Sequence, residues 1–161
     1  MLNSFYIIQE GLLTLPILYL SRYIIRNRAE YYRRLLAVTR DEDWQEWVLY
    51  ILTAVERTAR WTLGVIGAVQ DLEEQTAEII RRDEPKLYSH ELVKLLFRQP
   101  NCRINSLVEA GIAKRQTASI YLQRIAAMGL LEERKRGRAK MFVNVGLLRL
   151  LESDVQGGGN A

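Results

Sequence analysis

Residues 104–128 read INSLVEAGIAKRQTASIYLQRIAAM, and this stretch decides the fold that the sequence predicts. We predict short helices over 104–110 and 114–128, the second with Ala118, Leu122 and Ile125 on its core side at spacings of four and three. The turn between them contains Gly111, and a glycine directly after a helix supplies the left-handed conformation that ends it. Two helices joined by a short turn containing glycine are typical of a helix-turn-helix unit.

The flanking sequence extends this unit in both directions. Ser89 can cap a helix that runs to Gln99 and is ended by Pro100-Asn101. After Gly129, the segments 130–135 and 140–145 are predicted strands, and Gly137 between them suits a hairpin tip. A last apolar turn over 147–151 packs back. Three helices followed by a β-hairpin predict a winged helix-turn-helix domain over residues 85–153, with a disordered tail over 154–161.

Residues 1–84 are predicted to form a helical bundle. Helices are expected over 2–10 and from Pro16 onwards, with a break near Asn27–Ala29. The acidic run Asp41–Asp43 then favours the start of a long helix that reaches Arg82. One apolar stripe follows it at spacings of three and four, formed by Trp44, Val48, Ile51, Val55, Ala59, Leu63 and Ile66. The charged segment before Pro85 marks the end of this bundle. A helical bundle followed by a winged helix-turn-helix domain with a small β-hairpin gives a predicted fold class that is mainly α.

Charge is unevenly distributed along the chain. Residues 1–84 hold 10 basic and 13 acidic side chains, net −3, whereas residues 85–161 hold 13 and 6, net +7. Such asymmetry points to a polyanionic partner for the basic part. The longest uncharged run, Gly11–Ser21, is too short to cross a bilayer, and the single Cys102 allows no internal disulfide. No membrane association and a cytoplasmic location are therefore expected.

The basic part has the residue types that bind double-stranded DNA. The third helix of the predicted domain offers side chains that hydrogen-bond phosphates or base edges. These are Lys114, Arg115, Gln116, Thr117, Ser119 and Gln123. The predicted hairpin adds cations suited to the phosphate backbone or the minor groove. These are Arg134, Lys135, Arg136, Arg138 and Lys140. A solvated hairpin, or a winged helix used for protein contact, is the alternative reading.

Motifs for catalysis and for metal binding are missing from the sequence. The chain has one histidine, His90, and no P-loop, GxGxxG sequence or Ser-His-Asp set. His90 is expected to be a surface or capping residue. Trp44, Trp47 and Trp61 could suggest a ligand cage, but at helical spacing they are expected to be core residues.

Sequence runs spread over residues 2–152 carry a family resemblance. They are LNSFYIIQEGLL at 2–13, PILYLSRYI at 16–24, Tyr31-Tyr32, Asp43-Trp44 with Trp47, PKLYS at 85–89, RQTAS at 115–119 and GLLE at 129–132. In these runs the chain resembles the C-terminal part of bacterial Fic-family (Fic/Doc) proteins. The helical bundle would then be the remnant of a Fic core.

The resemblance implies the transfer of AMP from ATP to hydroxyl side chains of target proteins, with Mg²⁺. The family motif for this reaction, His-Pro-Phe-x-x-Gly-Asn-Gly-Arg-x-x-Arg, precedes the residues that match Met1-Leu2 and is absent here. Asn3 and Ser4 would at most border the nucleotide pocket. The resemblance therefore implies no catalytic residue, no cofactor and no transferase activity in this chain on its own.

The expected function is DNA binding with a regulatory role. Two alternatives stay open: an upstream Fic fragment completes a protein adenylyltransferase, or the bundle covers its apolar stripes in a homodimer or another protein contact.

Overall fold

A computed structural model describes residues 20–136 and 139–156, and this part of the chain is mainly helical with one small antiparallel sheet. The predicted fold class is confirmed. The expected helices before residue 20, with Asn3 and Ser4, lie outside the described residues. The elements are α1 (Leu20–Arg26), α2 (Arg28–Asp41), α3 (Trp44–Asp83), α4 (His90–Arg98), β1 (Asn101–Cys102), α5 (Ile104–Glu109), α6 (Arg115–Ala127), β2 (Glu132–Arg136), β3 (Ala139–Val143) and α7 (Val145–Gln156).

Two compact units divide the chain between Gly64 and Val65, within α3. The sequence placed the boundary twenty residues later, at Pro85, where the charge and the helix lengths change. The difference arises because the last part of α3 belongs to the core of the second unit. Ile80 is fully buried there, and Ala77 packs against the same cluster.

In the first unit, α3 is buried along a row of residues that the predicted stripe does not contain. Tyr50, Ala54 and Thr58, spaced by four, are at most 6% exposed. Ala54 forms a small core with Leu20, against which Tyr23 packs.

The predicted stripe is correct in its middle, where Val55 and Ala59 pack against the core of Leu20 and Ala54, and wrong towards its ends. Trp44, Val48, Leu63 and Ile66 are exposed, because they lie on rows beside the buried one. The expectation that the tryptophans are core residues fails for Trp44, which is 61% exposed.

The other two tryptophans of the first unit do pack. Trp47 is half-buried, with its ring centroid 5.2 Å from that of Tyr31. Trp61 lies under the guanidinium of Arg22, 3.8 Å from the ring centroid, as in a cation–π contact. Each of these two tryptophan rings contacts another side chain of the protein, which supports a packing role over a ligand cage.

Ion pairs join α2 to α3 in the same unit. Arg34 contacts the carboxylate of Glu30 one turn earlier and that of Glu46 near the start of α3. Hydrogen bonds from Arg33 and Arg34 lower the pKa of Glu30 to about 2. Asp43 accepts a hydrogen bond from the Glu46 amide (3.2 Å) and so caps α3, as the acidic run predicted.

The second unit is built on a three-stranded antiparallel sheet of order β1-β3-β2. Strand β3 is central, pairing Phe142 with Cys102 on one side and with Glu133 on the other. The Phe142 side chain is fully buried in a cluster to which α4, α5 and α6 all contribute. Asn144, buried just after β3, accepts a hydrogen bond from the Leu147 amide (3.0 Å) and caps α7.

The helix ends of this unit were predicted correctly from the capping residues beside them. The Ser89 side chain accepts a hydrogen bond from the Leu92 amide (3.1 Å), as an N-cap should. Gly111 and Gly129 follow α5 and α6 with φ of 70° and 77°, the left-handed region that favours glycine. Strand β1, by contrast, was not predicted, since Asn101 was interpreted only as part of a helix end.

Helix α7 is longer than the predicted apolar turn over 147–151. It continues to Gln156, which corrects the expected disordered tail for residues 154–156. The reason is that the first glycine after the apolar turn is Gly157, and no proline or glycine interrupts 147–156. Residues 157–161 lie outside the described part. Across the described ranges, no helix is long and apolar enough to cross a membrane.

Candidate nucleic-acid interface

Helix α6 has one buried side and one polar, exposed side. Ala118, Leu122 and Ile125 are all 0% exposed, which confirms the predicted core side. The half-buried Tyr121 also packs against the core cluster. Of the predicted site residues on this helix, Lys114, Arg115, Gln116, Thr117 and Gln123 are exposed and Ser119 is half-buried.

The N-terminal end of α6 concentrates positive potential. Lys114 occupies the N-cap position with an extended backbone, and Arg115 is the first helical residue. Free backbone amides and the helix dipole already make this end positive, so cations here cost the helix stability. No acidic residue occurs between Glu109 and Glu132 to offset them. An anion bound at this end would satisfy the amides and neutralise the cations together.

Arg124, near the end of the same helix, has a structural role instead. Its guanidinium lies 3.0 Å from the Glu84 carboxylate in the segment that follows α3. This pair ties the helix to the connection between α3 and α4.

The hairpin strands place most of the predicted cations in solvent. Lys135 and Lys140 are both exposed and directly opposite each other on β2 and β3. Like charges in directly opposed positions destabilise a strand pair. The backbone of Arg136 lies in β2, and Arg138 lies outside the described residues.

Two acidic residues partly neutralise the hairpin. The Arg134 guanidinium lies 3.1 Å from Glu132, and the Lys140 ammonium lies 2.8 Å from Glu133. The hydrogen bond from Arg134 lowers the pKa of the Glu132 carboxyl. Exposed ion pairs of this kind contribute little stability, so a phosphate can replace the carboxylate at low cost.

The strand register shows which cations share a face of the sheet. Side chains alternate along a strand, so Lys135 and Lys140 emerge on the same face as Phe142. Phe142 packs in the cluster that contains Leu122 and Ile125 of α6. The two lysines therefore lie on the face of the sheet that the helices cover, whereas Arg134 lies on the opposite face.

One residue on the exposed side of α6 was missed from the sequence. Ile120 is 47% exposed, between Gln116 and Gln123 on the polar side. Its position two residues from both Ala118 and Leu122 could have revealed this, since a residue so placed points away from the core.

Groups suited to catalysis do not assemble in the described ranges. His90 is exposed at the first position of α4. Burial raises the pKa of the Cys102 thiol to about 11, so at neutral pH the sulfur is protonated and a poor nucleophile. Within residues 20–136 and 139–156, no group of three or more His, Cys, Asp or Glu side chains could hold a metal ion.

Comparison with protein families gives one match. Residues 72–147 match the family described as "Protein adenylyltransferase SoFic-like, C-terminal domain". The match begins inside α3, continues through the three-stranded sheet and ends at the start of α7. It thus lies entirely within the second compact unit and begins before the predicted boundary at Pro85.

Proposed function

Because this chain carries the C-terminal domain of the SoFic-like protein adenylyltransferases of the Fic family, we propose that this domain is a winged helix-turn-helix module that binds double-stranded DNA. The element order α4-β1-α5-α6-β2-β3 and the sheet order β1-β3-β2 support this proposal. So does the turn at Gly111 between α5 and α6, which is short as a helix-turn-helix requires.

The observation that carries the proposal is the exposed side of α6. A recognition helix enters the major groove with its N-terminal residues and one polar face. Lys114 and Arg115 occupy the N-terminal end, and Gln116, Thr117 and Gln123 continue along the exposed side. Arginine is suited to guanine and glutamine to adenine, because each can make two hydrogen bonds to one base edge. The half-buried Ser119 has less access to a base.

The hairpin has a complementary role in this proposal. Its cations would lie along the phosphate backbone, where they bind without regard to sequence. Repulsion between the opposed Lys135 and Lys140 would be relieved by a phosphate between them. Arg134 lies on the opposite face of the sheet, so it would contact a different phosphate. Arg136 and Arg138 would add further positive charge to the hairpin.

A binding assay tests the proposal. We expect the chain to bind a fluorescent 30-base-pair duplex of mixed sequence at ~50 mM salt, and the double variant Lys114→Ala/Arg115→Ala to bind about tenfold more weakly or worse. The matched control is Arg57→Ala/Arg60→Ala, which removes two exposed cations of the first unit. Fluorescence anisotropy measures both. No binding by the native chain, or equal losses in the two variants, would refute the proposal.

A second proposal concerns the activity of the matched family, which is described as protein adenylyltransferase. We propose that these 161 residues alone transfer no AMP. The His-Pro-Phe motif is absent from them, and the single histidine is exposed on α4. ATP and Mg²⁺ would have to be held by an upstream Fic segment.

Labelled ATP provides the test of this second proposal. We expect no labelled protein after incubation of the chain with ATP, Mg²⁺ and a cell extract as the source of target hydroxyl groups. A full-length Fic protein that carries the complete motif serves as the positive control. Labelling at a comparable rate by the chain alone would show that it is an enzyme.

A further inference from the structure

Ile120 is an apolar side chain in the middle of an otherwise polar surface. It lies four residues after Gln116 and three before Gln123, spacings that put all three on one side of α6. Both glutamines are exposed, and Ile120 is 47% exposed. Ala118, Leu122 and Ile125 fill the opposite side at 0% exposure. Ile120 therefore makes no contribution to the core comparable with theirs.

We propose that Ile120 contacts the 5-methyl group of thymine in the major groove and so selects A·T base pairs. The inference rests on the proposed DNA-binding function and adds a residue that determines specificity. Thymine is the one base that presents an apolar group in the major groove, where the other groups at base edges are hydrogen-bond donors and acceptors. An isoleucine at this position can bury a methyl group but has no hydrogen bond to offer the other bases.

The neighbouring residues favour the same base pairs. A glutamine side chain can make two hydrogen bonds to adenine, through N6 and N7. Gln116 and Gln123 lie one helical turn before and after Ile120, so the three side chains can reach neighbouring positions in the groove. An apolar residue between two adenine-reading residues suits a site rich in A·T pairs.

A protein contact is the competing explanation, since single exposed apolar residues are common on protein surfaces. The position of Ile120 argues against it. The exposed positions next to it along the helix are polar or basic, whereas the centre of a protein interface is depleted in charged residues. Lys114 and Arg115 lie within two turns on the same helix.

Deoxyuridine gives a direct test, because it lacks only the 5-methyl group of thymidine and pairs with adenine in the same way. The probe is a library of duplexes with 16 random base pairs. Duplexes enriched by the native chain are sequenced, and the best one is remade with deoxyuridine at one thymidine at a time. We expect one such position to weaken binding about fivefold, the effect of losing one buried methyl contact.

The variant Ile120→Ala should bind the thymidine duplex about fivefold more weakly and no longer distinguish thymidine from deoxyuridine at that position. Ile120→Val should keep part of the distinction. The control Leu151→Ala, an exposed apolar residue on α7, should behave as the native chain. Equal binding of all thymidine and deoxyuridine duplexes by the native chain would overturn the inference but leave DNA binding intact. An Ile120→Ala variant that still distinguishes thymidine from deoxyuridine would also overturn the inference and leave DNA binding intact. No retention of any duplex at low salt would overturn the proposed function and this inference together.

Discussion

Replacing Phe142 with alanine is expected to lower the free energy of unfolding by about 3–5 kcal/mol. Phe142 is fully buried at the centre of the sheet, and β3 pairs with a strand on each side of it. The substitution loses the transfer free energy of the ring and leaves a cavity between the sheet and α6. Closing this cavity would require the helices or the sheet to leave their present packing, and such relaxation is only partial.

Urea denaturation followed by far-ultraviolet circular dichroism measures this effect on the full chain. The control is Leu151→Ala, whose side chain is 40% exposed and whose loss should cost less than about 1 kcal/mol. A cost below about 1 kcal/mol for Phe142→Ala would contradict the central position of this residue in the core. Because the proposed interface is assembled on this core, DNA binding should fall in parallel wherever the variant is unfolded.

The helices of the second unit were predictable because their signals are local. The cap at Ser89 and the left-handed Gly111 depend on residues within one turn of each helix end. Strand β1 was not predictable in this way. It has only two residues, and it is a strand only because Asn101 pairs with Val143, about forty residues later in the chain.

The buried face and the boundary within α3 depended on tertiary structure. A long helix with many apolar residues offers several rows that could be buried, and the sequence does not say which row a partner will cover. In the first unit the buried row is that of Tyr50, Ala54 and Thr58. In the second unit, Ile80 joined the core that follows it, although the charged segment after it suggested a linker.

The candidate site was predicted in its residue types but not in its interactions. The exposure of Lys114, Arg115 and Gln116 follows from helical spacing alone, once the core side of α6 is known. The pairing of Arg134 with Glu132, and of Arg124 with Glu84, requires a strand conformation or a contact forty residues apart. Ile120 was missed because an apolar residue in a helix is normally assigned to packing.

The affinity for DNA is expected to fall about 10³-fold between ~50 and ~200 mM salt, because about six phosphate contacts would release their counterions. Seven cations are available for these contacts. They are Lys114, Arg115, Arg134, Lys135, Arg136, Arg138 and Lys140. The ion pairs of Arg134 and Lys140 with hairpin carboxylates do not prevent this, since exposed pairs exchange readily for phosphate.

Removing four hairpin cations separates the contribution of the hairpin to the salt dependence from that of α6. In the variant Lys135→Ala/Arg136→Ala/Arg138→Ala/Lys140→Ala, the same change in salt should weaken binding only about tenfold, because about two phosphate contacts remain. Binding at ~50 mM salt should weaken for all sequences alike, since phosphate contacts carry no base preference. Anisotropy titrations at several salt concentrations give the slope directly.

The control for this variant removes the same net charge from the first unit. It replaces four exposed arginines with alanine, which are Arg28, Arg40, Arg57 and Arg60. Net charge falls equally in both variants, so a general attraction between the protein and DNA would reduce both slopes alike. We expect the control to keep nearly the full salt dependence, because only cations that touch phosphates release counterions on binding. A hairpin variant with an unchanged slope would show that the hairpin lies away from the DNA and that α6 binds alone.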